Sequence, residues 1–74
     1  MKRLLTALAQ TLVSSPGEVR VAERDDGELL ELWVSDADRG SVIGRRGRTA
    51  QALRTLIDAA ARRRGQSCRV EILD

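Results

Sequence analysis

Two glycines separated by two arginines, Gly44-Arg45-Arg46-Gly47, join two segments of helical periodicity in the second half of the chain. Strand-like segments stand before the first of these helices and after the second. A connection that passes through two helices returns as a crossover, so we expect these two strands to run parallel in one sheet. This arrangement restricts the chain to an α+β fold.

The spacing of the apolar residues predicts six elements in the order helix, strand, strand, helix, helix, strand. Turn signals separate them: Ser14-Ser15-Pro16-Gly17 ends the first helix, Asp25-Asp26-Gly27 predicts a tight hairpin, and Gly65 ends the long helix in the left-handed conformation. The predicted helices span 2–14, 36–43 and 48–64, and the predicted strands span 18–24, 29–34 and 67–74.

Each predicted strand has one apolar face, so we expect three helices to cover one side of a three-stranded mixed sheet. The segment 29–34 is the richest in apolar residues and is predicted to be the central strand. Its hairpin partner, 18–24, is predicted to be antiparallel to it. In the long helix, the predicted inner face consists of Ala50, Leu53, Leu56, Ile57, Ala60 and Ala61.

The chain has 74 residues, which is near the lower size limit for a fold held by one hydrophobic core, and we predict a single domain, 1–74. There is no run of about 20 apolar residues that would span a membrane. The first residues resemble a short secretory signal, with Lys2 and Arg3 ahead of leucines. Those leucines recur at helical spacing, however, so we expect an amphipathic helix and a cytoplasmic protein.

The sequence contains no recognisable catalytic or metal-binding set. It has no histidine and one cysteine, Cys68, which excludes the usual zinc ligands and an internal disulfide. Asp36 is predicted to cap the short helix, with Asp38 in its first turn, and capping accounts for these carboxylates better than acid-base catalysis does. We therefore predict a non-enzymatic protein without a cofactor.

Positive charge is concentrated in the half of the chain that carries the two-glycine loop. Residues 1–38 have a net charge of −4, whereas residues 39–74 have a net charge of +6. The loop itself directs two guanidinium groups, bare backbone N–H groups and the positive end of a helix towards one point, which is a suitable arrangement for phosphates. A nucleic-acid strand is the predicted ligand.

The motif Val-Ile-Gly-x-x-Gly between two helices, with a strand on either side, resembles the core of the KH nucleic-acid-binding domain. The additional N-terminal helix and strand resemble the bacterial type II variant, and the likeness is closest to small single-domain bacterial KH proteins of the KhpA type. It covers essentially the whole chain, and residues 38–56 are similar to the family signature. The resemblance implies binding of single-stranded RNA, as a global RNA-binding or chaperone-type regulator.

Five residues of the loop region are predicted to contact the sugar-phosphate chain. Gly44 and Gly47 allow a tight reversal and a close approach of the ligand to the backbone. Arg45 and Arg46 are expected to project into solvent and neutralise phosphates. Arg48 is unfavourably placed at the positive end of a helix, a conflict that a bound anion would relieve, so it is predicted to contact phosphate as well.

The apolar pair before the loop is assigned to the site by the resemblance. In the KH family, bases lie in a shallow aliphatic groove beside this loop, which implies Val42 and Ile43 as groove residues. An apolar pair before a helix end is usually part of the core. We therefore expect Val42 to belong mainly to the core, and Ile43 to be shared between core and groove.

Two other functions are compatible with parts of the pattern. A DNA-binding helix-hairpin-helix protein also uses a glycine turn, although usually Gly-apolar-Gly, and it does not need flanking strands. A protein-interaction adaptor could retain the KH fold without binding RNA, but it would have no reason to keep two arginines in the loop. RRM and OB folds are excluded, because they stack bases on several aromatic residues and this chain has a single tryptophan.

A single four-nucleotide module binds weakly, so we expect a second module to act with it. The resemblance implies the same, as a homodimer or as a heterodimer with a larger KH-containing protein of the Jag type. The predicted open face of the sheet, with Trp33, Leu29 and Leu73, is one interface for such a partner. The small-residue edge of the long helix, at Ala52 and Ala59, is a second.

Overall fold

The computed structural model describes residues 1–73, and the predicted order of elements is confirmed. Asp74, the predicted end of the last strand, lies outside the described residues. The helices are α1 (Lys2–Leu12), α2 (Asp36–Ile43) and α3 (Arg48–Arg63), and the strands are β1 (Arg20–Arg24), β2 (Leu29–Trp33) and β3 (Arg69–Ile72). Short 3-10 turns at Pro16–Glu18, Asp25–Gly27 and Arg45–Gly47 connect them.

The three strands form one mixed sheet in the order β1-β2-β3, with β2 in the centre as predicted. β1 pairs antiparallel with β2, from Arg20 opposite Trp33 to Arg24 opposite Leu29. β3 pairs parallel with β2 through the two-helix crossover. The predicted hairpin turn is confirmed, with positive φ angles at three successive residues, Asp25, Asp26 and Gly27.

One hydrophobic core lies between the helices and a single face of the sheet. Alternate residues of β2, Leu30 and Leu32, are fully buried, while their neighbours are only half-buried. The three helices supply the other side of the core, and its fully buried large side chains are Leu5, Leu30, Leu32, Val42 and Ile57. The α+β architecture, with helices covering one face of the sheet, is therefore as predicted.

Two element boundaries differ from the prediction around Pro16. α1 ends at Leu12 instead of residue 14, and β1 starts at Arg20 instead of residue 18. The 3-10 turn Pro16–Glu18 takes up the difference, since Pro16 fixes its own φ and sits at the start of the turn. Val19 is buried as expected but precedes the paired part of the strand.

The predicted inner face of α3 is wrong at one position. Leu56 was expected in the core, yet 52% of its surface is exposed. The buried residues of α3 follow a narrower stripe, Ala50, Leu53, Ile57 and Ala61. Leu56 lies at the edge of that stripe, where the helix spacing turns it away from the sheet.

The cap of α2 is Ser35, so the prediction of Asp36 as the N-cap is wrong by one residue. The Ser35 hydroxyl accepts a hydrogen bond from the backbone N–H of Asp38 (3.3 Å) and donates one to the Asp38 carboxylate (2.8 Å). The Ser35 side chain thus caps the first turn of α2 and is itself held in place by the Asp38 carboxylate. Asp36 instead lies in the exposed first turn, where its carboxylate pairs with Arg39.

The Asp38 carboxylate is buried and connects α2 to the turn that follows α1. It accepts hydrogen bonds from the Ser14 backbone N–H (2.9 Å), the Ser14 hydroxyl (2.6 Å) and the Ser15 backbone N–H (3.0 Å). Hydrogen bonds from Ser14, then Ser35 and Ser15, lower the Asp38 pKa from 3.8 to about 2. The charged carboxylate thereby fixes the position of α2, whose last residue adjoins the glycine loop.

We expect Asp38 to make stability depend on acid pH. Because its pKa is lower in the folded state, its contribution is complete above the unfolded value of 3.8 and is lost as the pH falls to about 2. Asp38→Asn should lower the melting temperature at pH 7 by on the order of 10 °C. Between pH 5 and pH 2, the melting temperature of Asp38→Asn should then fall by less than that of the wild type, as measured by circular dichroism.

The control for this prediction is Asp36→Asn, which removes a carboxylate from the same helical turn. Its surface pair with Arg39 is exposed on the Asp36 side, and such pairs contribute little to stability. The variant should keep the wild-type pH profile. An unchanged profile in Asp38→Asn would instead show that another carboxylate causes the acid sensitivity.

Candidate nucleic-acid interface

The first glycine of the loop is required by both its backbone angle and its surroundings. Gly44 ends α2 with φ 77°, and its N–H donates to the Gly40 carbonyl (2.8 Å). A Cβ at this position would lie 2.7 Å from the Thr49 Cβ and 2.8 Å from the Thr49 backbone nitrogen. The start of α3 therefore packs directly against Gly44, and this contact fixes the angle between the two helices.

The second glycine is open on the side where a Cβ would project. Gly47 has φ 73°, and its N–H donates to the Gly44 carbonyl (3.1 Å). Apart from its two chain neighbours, no described residue has an atom within 4 Å of the Cβ position. The backbone here is consequently accessible to a ligand, and the positive φ alone explains the glycine within the protein.

Three arginines surround the loop with their side chains exposed. Arg45 and Arg46 occupy the turn, with Arg46 in the left-handed region at φ 57°, and Arg48 lies in the first turn of α3. Among residues 1–73, the structure gives none of these three guanidinium groups a hydrogen bond or ion pair within the protein. α3 also begins without a side-chain cap or an acidic residue in its first turn. Positive charge at this corner is thus uncompensated.

The apolar pair before the loop divides between the interior and the surface. Val42 is fully buried and packs in the core, as expected for it. Ile43 is 40% exposed at the end of α2. Of the two, only Ile43 presents an apolar surface beside the loop.

A groove of about 430 Å³ runs between α3 and the edge strand β3. Its helical wall continues the polar face of α3 from Arg48, because Gln51 and Thr55 follow at spacings of three and four residues. The groove therefore starts one helical turn from the loop. Its lining residues are Gln51, Arg54, Thr55, Asp58, Cys68, Arg69, Val70 and Glu71.

The charges in this groove are balanced, in contrast with those at the loop. Two arginines face two carboxylates, and Asp58 is paired with Arg62 (3.0 Å). The Arg54 Nε donates to the Val70 carbonyl (3.2 Å), which holds the guanidinium against the edge of β3. Sequence reasoning missed this groove, because the pattern shows a polar helix face without showing which strand faces it.

The residues predicted to form a partner surface belong to the side of the sheet that the helices do not cover. Leu29, Trp33 and Leu73 are all half-buried, and the alternation along β2 places the first two away from the core. Arg20, opposite Trp33 in the register, donates to the carbonyls of Gly17 and Val19. Whether a partner covers this surface stays a prediction.

The described part of the chain, 1–73, contains no group of three or more potential metal-ligating side chains. It also contains no helix with the length and apolar character needed to cross a membrane. Burial raises the pKa of the Cys68 thiol, which favours its protonated form. Asp38, one of the weighed catalytic alternatives, is occupied by serine and backbone donors.

The element order, the mixed sheet and a two-glycine loop between α2 and α3 define a KH-type fold with the additional helix and strand at its N-terminus. Comparison with known sequences gives the same class. The family profile described as "KhpA/KhpB, KH domain" matches residues 2–72. The chain therefore belongs to the KhpA/KhpB KH-domain family, which is non-enzymatic.

Curated relatives are similar to the chain over its full length. A protein named "RNA-binding protein KhpA" from Halalkalibacterium halodurans is 47% identical, and the match covers all of both chains. Its namesake from Clostridium acetobutylicum is 45% identical over 99% of this chain and 100% of its own. The protein of the same name from Streptomyces coelicolor is 41% identical over 100% of this chain and 92% of its own. No solved structure gave a significant match.

Proposed function

We propose that this chain binds single-stranded RNA, with the loop from Gly44 to Arg48 holding the sugar-phosphate chain. The observation that carries the proposal is the set of three exposed arginines at the loop that have no partner among residues 1–73, beside a backbone that is open at Gly47. Charge-assisted bonds from such groups to phosphate are strong. The names of the relatives, which call them RNA-binding proteins, agree with it.

In this proposal, the bases lie on either side of the loop contact, against Ile43 and in the groove between α3 and β3. The charges that line the groove are balanced, so it suits uncharged bases better than phosphates. The groove also offers hydrogen-bonding side chains, such as Gln51, Arg54 and Thr55. Aliphatic surface and polar base-edge contacts together replace the aromatic stacking that this chain cannot provide.

The family description and the need for avidity support a second RNA-binding module in the functional assembly. We propose that this module is either a second copy or a larger KH-containing protein of the KhpB (Jag) kind. Light scattering on the intact chain distinguishes these two alternatives. A strict monomer would exclude a second copy and leave the larger KH-containing protein as the second module. A cytoplasmic role as a global RNA-binding or chaperone-type regulator belongs to the same proposal.

The salt dependence of RNA binding tests the phosphate contacts. A loop that clamps four nucleotides makes about three phosphate contacts, so log K should fall against log salt with a slope near −2 on a single strand. The measurement is fluorescence anisotropy with a labelled 12-nucleotide RNA, compared with its duplex form. Equal affinity for the duplex, or a slope near zero, would contradict the proposed mode of binding.

A further inference from the structure

The edge strand β3 directs some of its peptide groups away from the sheet. Arg69 and Leu73 each donate an N–H to a carbonyl on the β2 side of the strand. In a parallel pair, alternate residues bond to the same neighbour, so the N–H and C=O of Val70 point to the open edge. Val70 also lines the α3–β3 groove. Its peptide groups are therefore the polar groups that it offers to a ligand there.

A side chain of α3 already occupies one of these two groups. The Arg54 Nε donates to the Val70 carbonyl at 3.2 Å. The Val70 N–H has no partner among residues 1–73, and neither have the two terminal nitrogens of the Arg54 guanidinium. Arg54 thus occupies the acceptor of this edge and adds donors of its own. The groups that remain for a ligand at this point are hydrogen-bond donors.

The position of Arg54 is not explained by an ion pair. Asp58 follows it by four residues, the spacing of a helical ion pair, yet Asp58 pairs with Arg62 (3.0 Å). Within residues 1–73, Glu71, the other carboxylate that lines the groove, does not bind Arg54 either. The bond to the Val70 carbonyl instead holds the guanidinium at the groove. Because this planar group is held before a ligand arrives, less side-chain freedom is lost on binding.

We propose that Arg54 makes the groove select bases with two neighbouring acceptors on one edge, which are guanine and cytosine, over adenine. This inference rests on the proposed binding of RNA. Guanine presents O6 and N7 together, and cytosine presents O2 and N3, so either pair can accept from the Val70 N–H and the Arg54 guanidinium. Adenine places its amino donor beside each acceptor of these edges, and uracil places its N3–H between its two carbonyls.

Fluorescence anisotropy with three labelled RNAs of about seven nucleotides tests this preference on the intact protein. Each RNA is uridine except at two central positions, which are both guanine, both cytosine or both adenine. The wild type should bind the guanine RNA, the cytosine RNA or both at least about fivefold more tightly than the adenine RNA. A preference for guanine alone would assign its O6 and N7 to the donors, and a preference for cytosine alone would assign its O2 and N3.

Arg54→Met should reverse the choice between guanine and adenine. The substitution removes the guanidinium donors and frees the Val70 carbonyl, so the edge then offers one donor beside one acceptor. That pair matches N1 and the amino group of adenine, and the ratio of guanine to adenine affinity should fall by about five- to tenfold. Arg54→Lys keeps the charge without the planar fork. It should lower the same ratio while keeping the affinity for an all-uridine RNA.

Arg69→Met is the matched control, because it removes the same charge from the same groove without removing the hydrogen bond to the Val70 carbonyl. It should weaken all three RNAs by a similar factor and leave their ratios unchanged. Arg54 and Arg69 are both exposed, so the variants should melt near the wild-type temperature. An equal change of the guanine to adenine ratio in Arg69→Met would show that the charge of the groove selects the base.

The same measurements separate this inference from the proposed function. Equal wild-type affinity for the three RNAs, with all binding lost in Arg45→Asp with Arg46→Asp, would overturn the base preference and leave RNA binding by the loop intact. Tighter binding of the adenine RNA would also overturn the preference. If the wild type bound none of the RNAs, the proposed function would be wrong, and the preference with it.

Discussion

The double variant Arg45→Asp with Arg46→Asp is expected to lose single-stranded RNA binding while remaining folded. It removes two of the three loop guanidinium groups and places two carboxylates where phosphates would lie. The affinity should fall on the order of 100-fold or more, because charge-assisted bonds are lost and repulsion is added. Filter binding or anisotropy measures this loss at fixed salt.

The fold should tolerate these substitutions. Both side chains are exposed and have no partner among the described residues, so no protein contact is removed. Arg46 lies at φ 57°, a region in which aspartate is more readily accommodated than most residues. The circular dichroism spectrum and the melting temperature should therefore stay close to those of the wild type.

A control with the same change of charge separates a local contact from general electrostatic attraction. Lys2→Asp with Arg3→Asp also lowers the net charge by four units, and these residues lie beside Arg64, at the far end of α3 from the loop. This control should weaken RNA binding only slightly, and less so at higher salt. Undiminished affinity in the loop variant, or an equal loss in the control, would refute the loop as the phosphate site.

Much of the fold was predictable because its signals are local in the sequence. Alternation in 29–34 identifies a strand with one buried face, and Gly65 marks a helix end. The structure confirms the left-handed Gly65, with N–H groups of Gly65 and Gln66 bonded to the carbonyls of Arg62 and Ala61. The parallel pairing of β2 and β3 follows from the crossover through two helices.

The features that sequence reasoning missed depend on residues far apart in the chain. Asp38 reads as a helix-start carboxylate, but its main partners, Ser14 and Ser15, lie 24 and 23 residues away. Periodicity shows that Leu56 is apolar without showing whether another element covers it. The α3–β3 groove likewise exists only once the helix has packed beside the edge strand.

The loop was the most predictable part of the candidate site, and the structure adds a distinction that the motif alone conceals. A Gly-x-x-Gly pattern presents its two glycines as equivalent. In the folded chain, the Cβ position of Gly44 is filled by Thr49, whereas that of Gly47 is open. The first glycine therefore has a structural role in joining α2 to α3, and the second is free to serve the ligand.

Gly44→Ala is accordingly expected to have the largest effect on stability of the substitutions in the loop. The new Cβ would meet the backbone nitrogen of Thr49 at 2.8 Å, and the φ of 77° is strained for alanine. Together, these effects should cost on the order of 3 kcal/mol, or roughly 10 °C or more in melting temperature for a domain of this size. RNA affinity should fall too, because α3 and Arg48 are displaced from α2.

Gly47→Ala is the matched comparison, with a similar φ of 73° but, beyond the two chain neighbours, no atom of residues 1–73 within 4 Å of the added methyl group. It should lose about 1 kcal/mol of stability from backbone strain alone, yet weaken RNA binding by about tenfold or more if the strand approaches the bare backbone there. Thermal melting and anisotropy on both variants separate the two roles. If Gly44→Ala were as stable as Gly47→Ala, this would contradict the packing of Thr49 against the loop. If Gly47→Ala bound RNA with wild-type affinity, the arginine side chains alone would hold the phosphates.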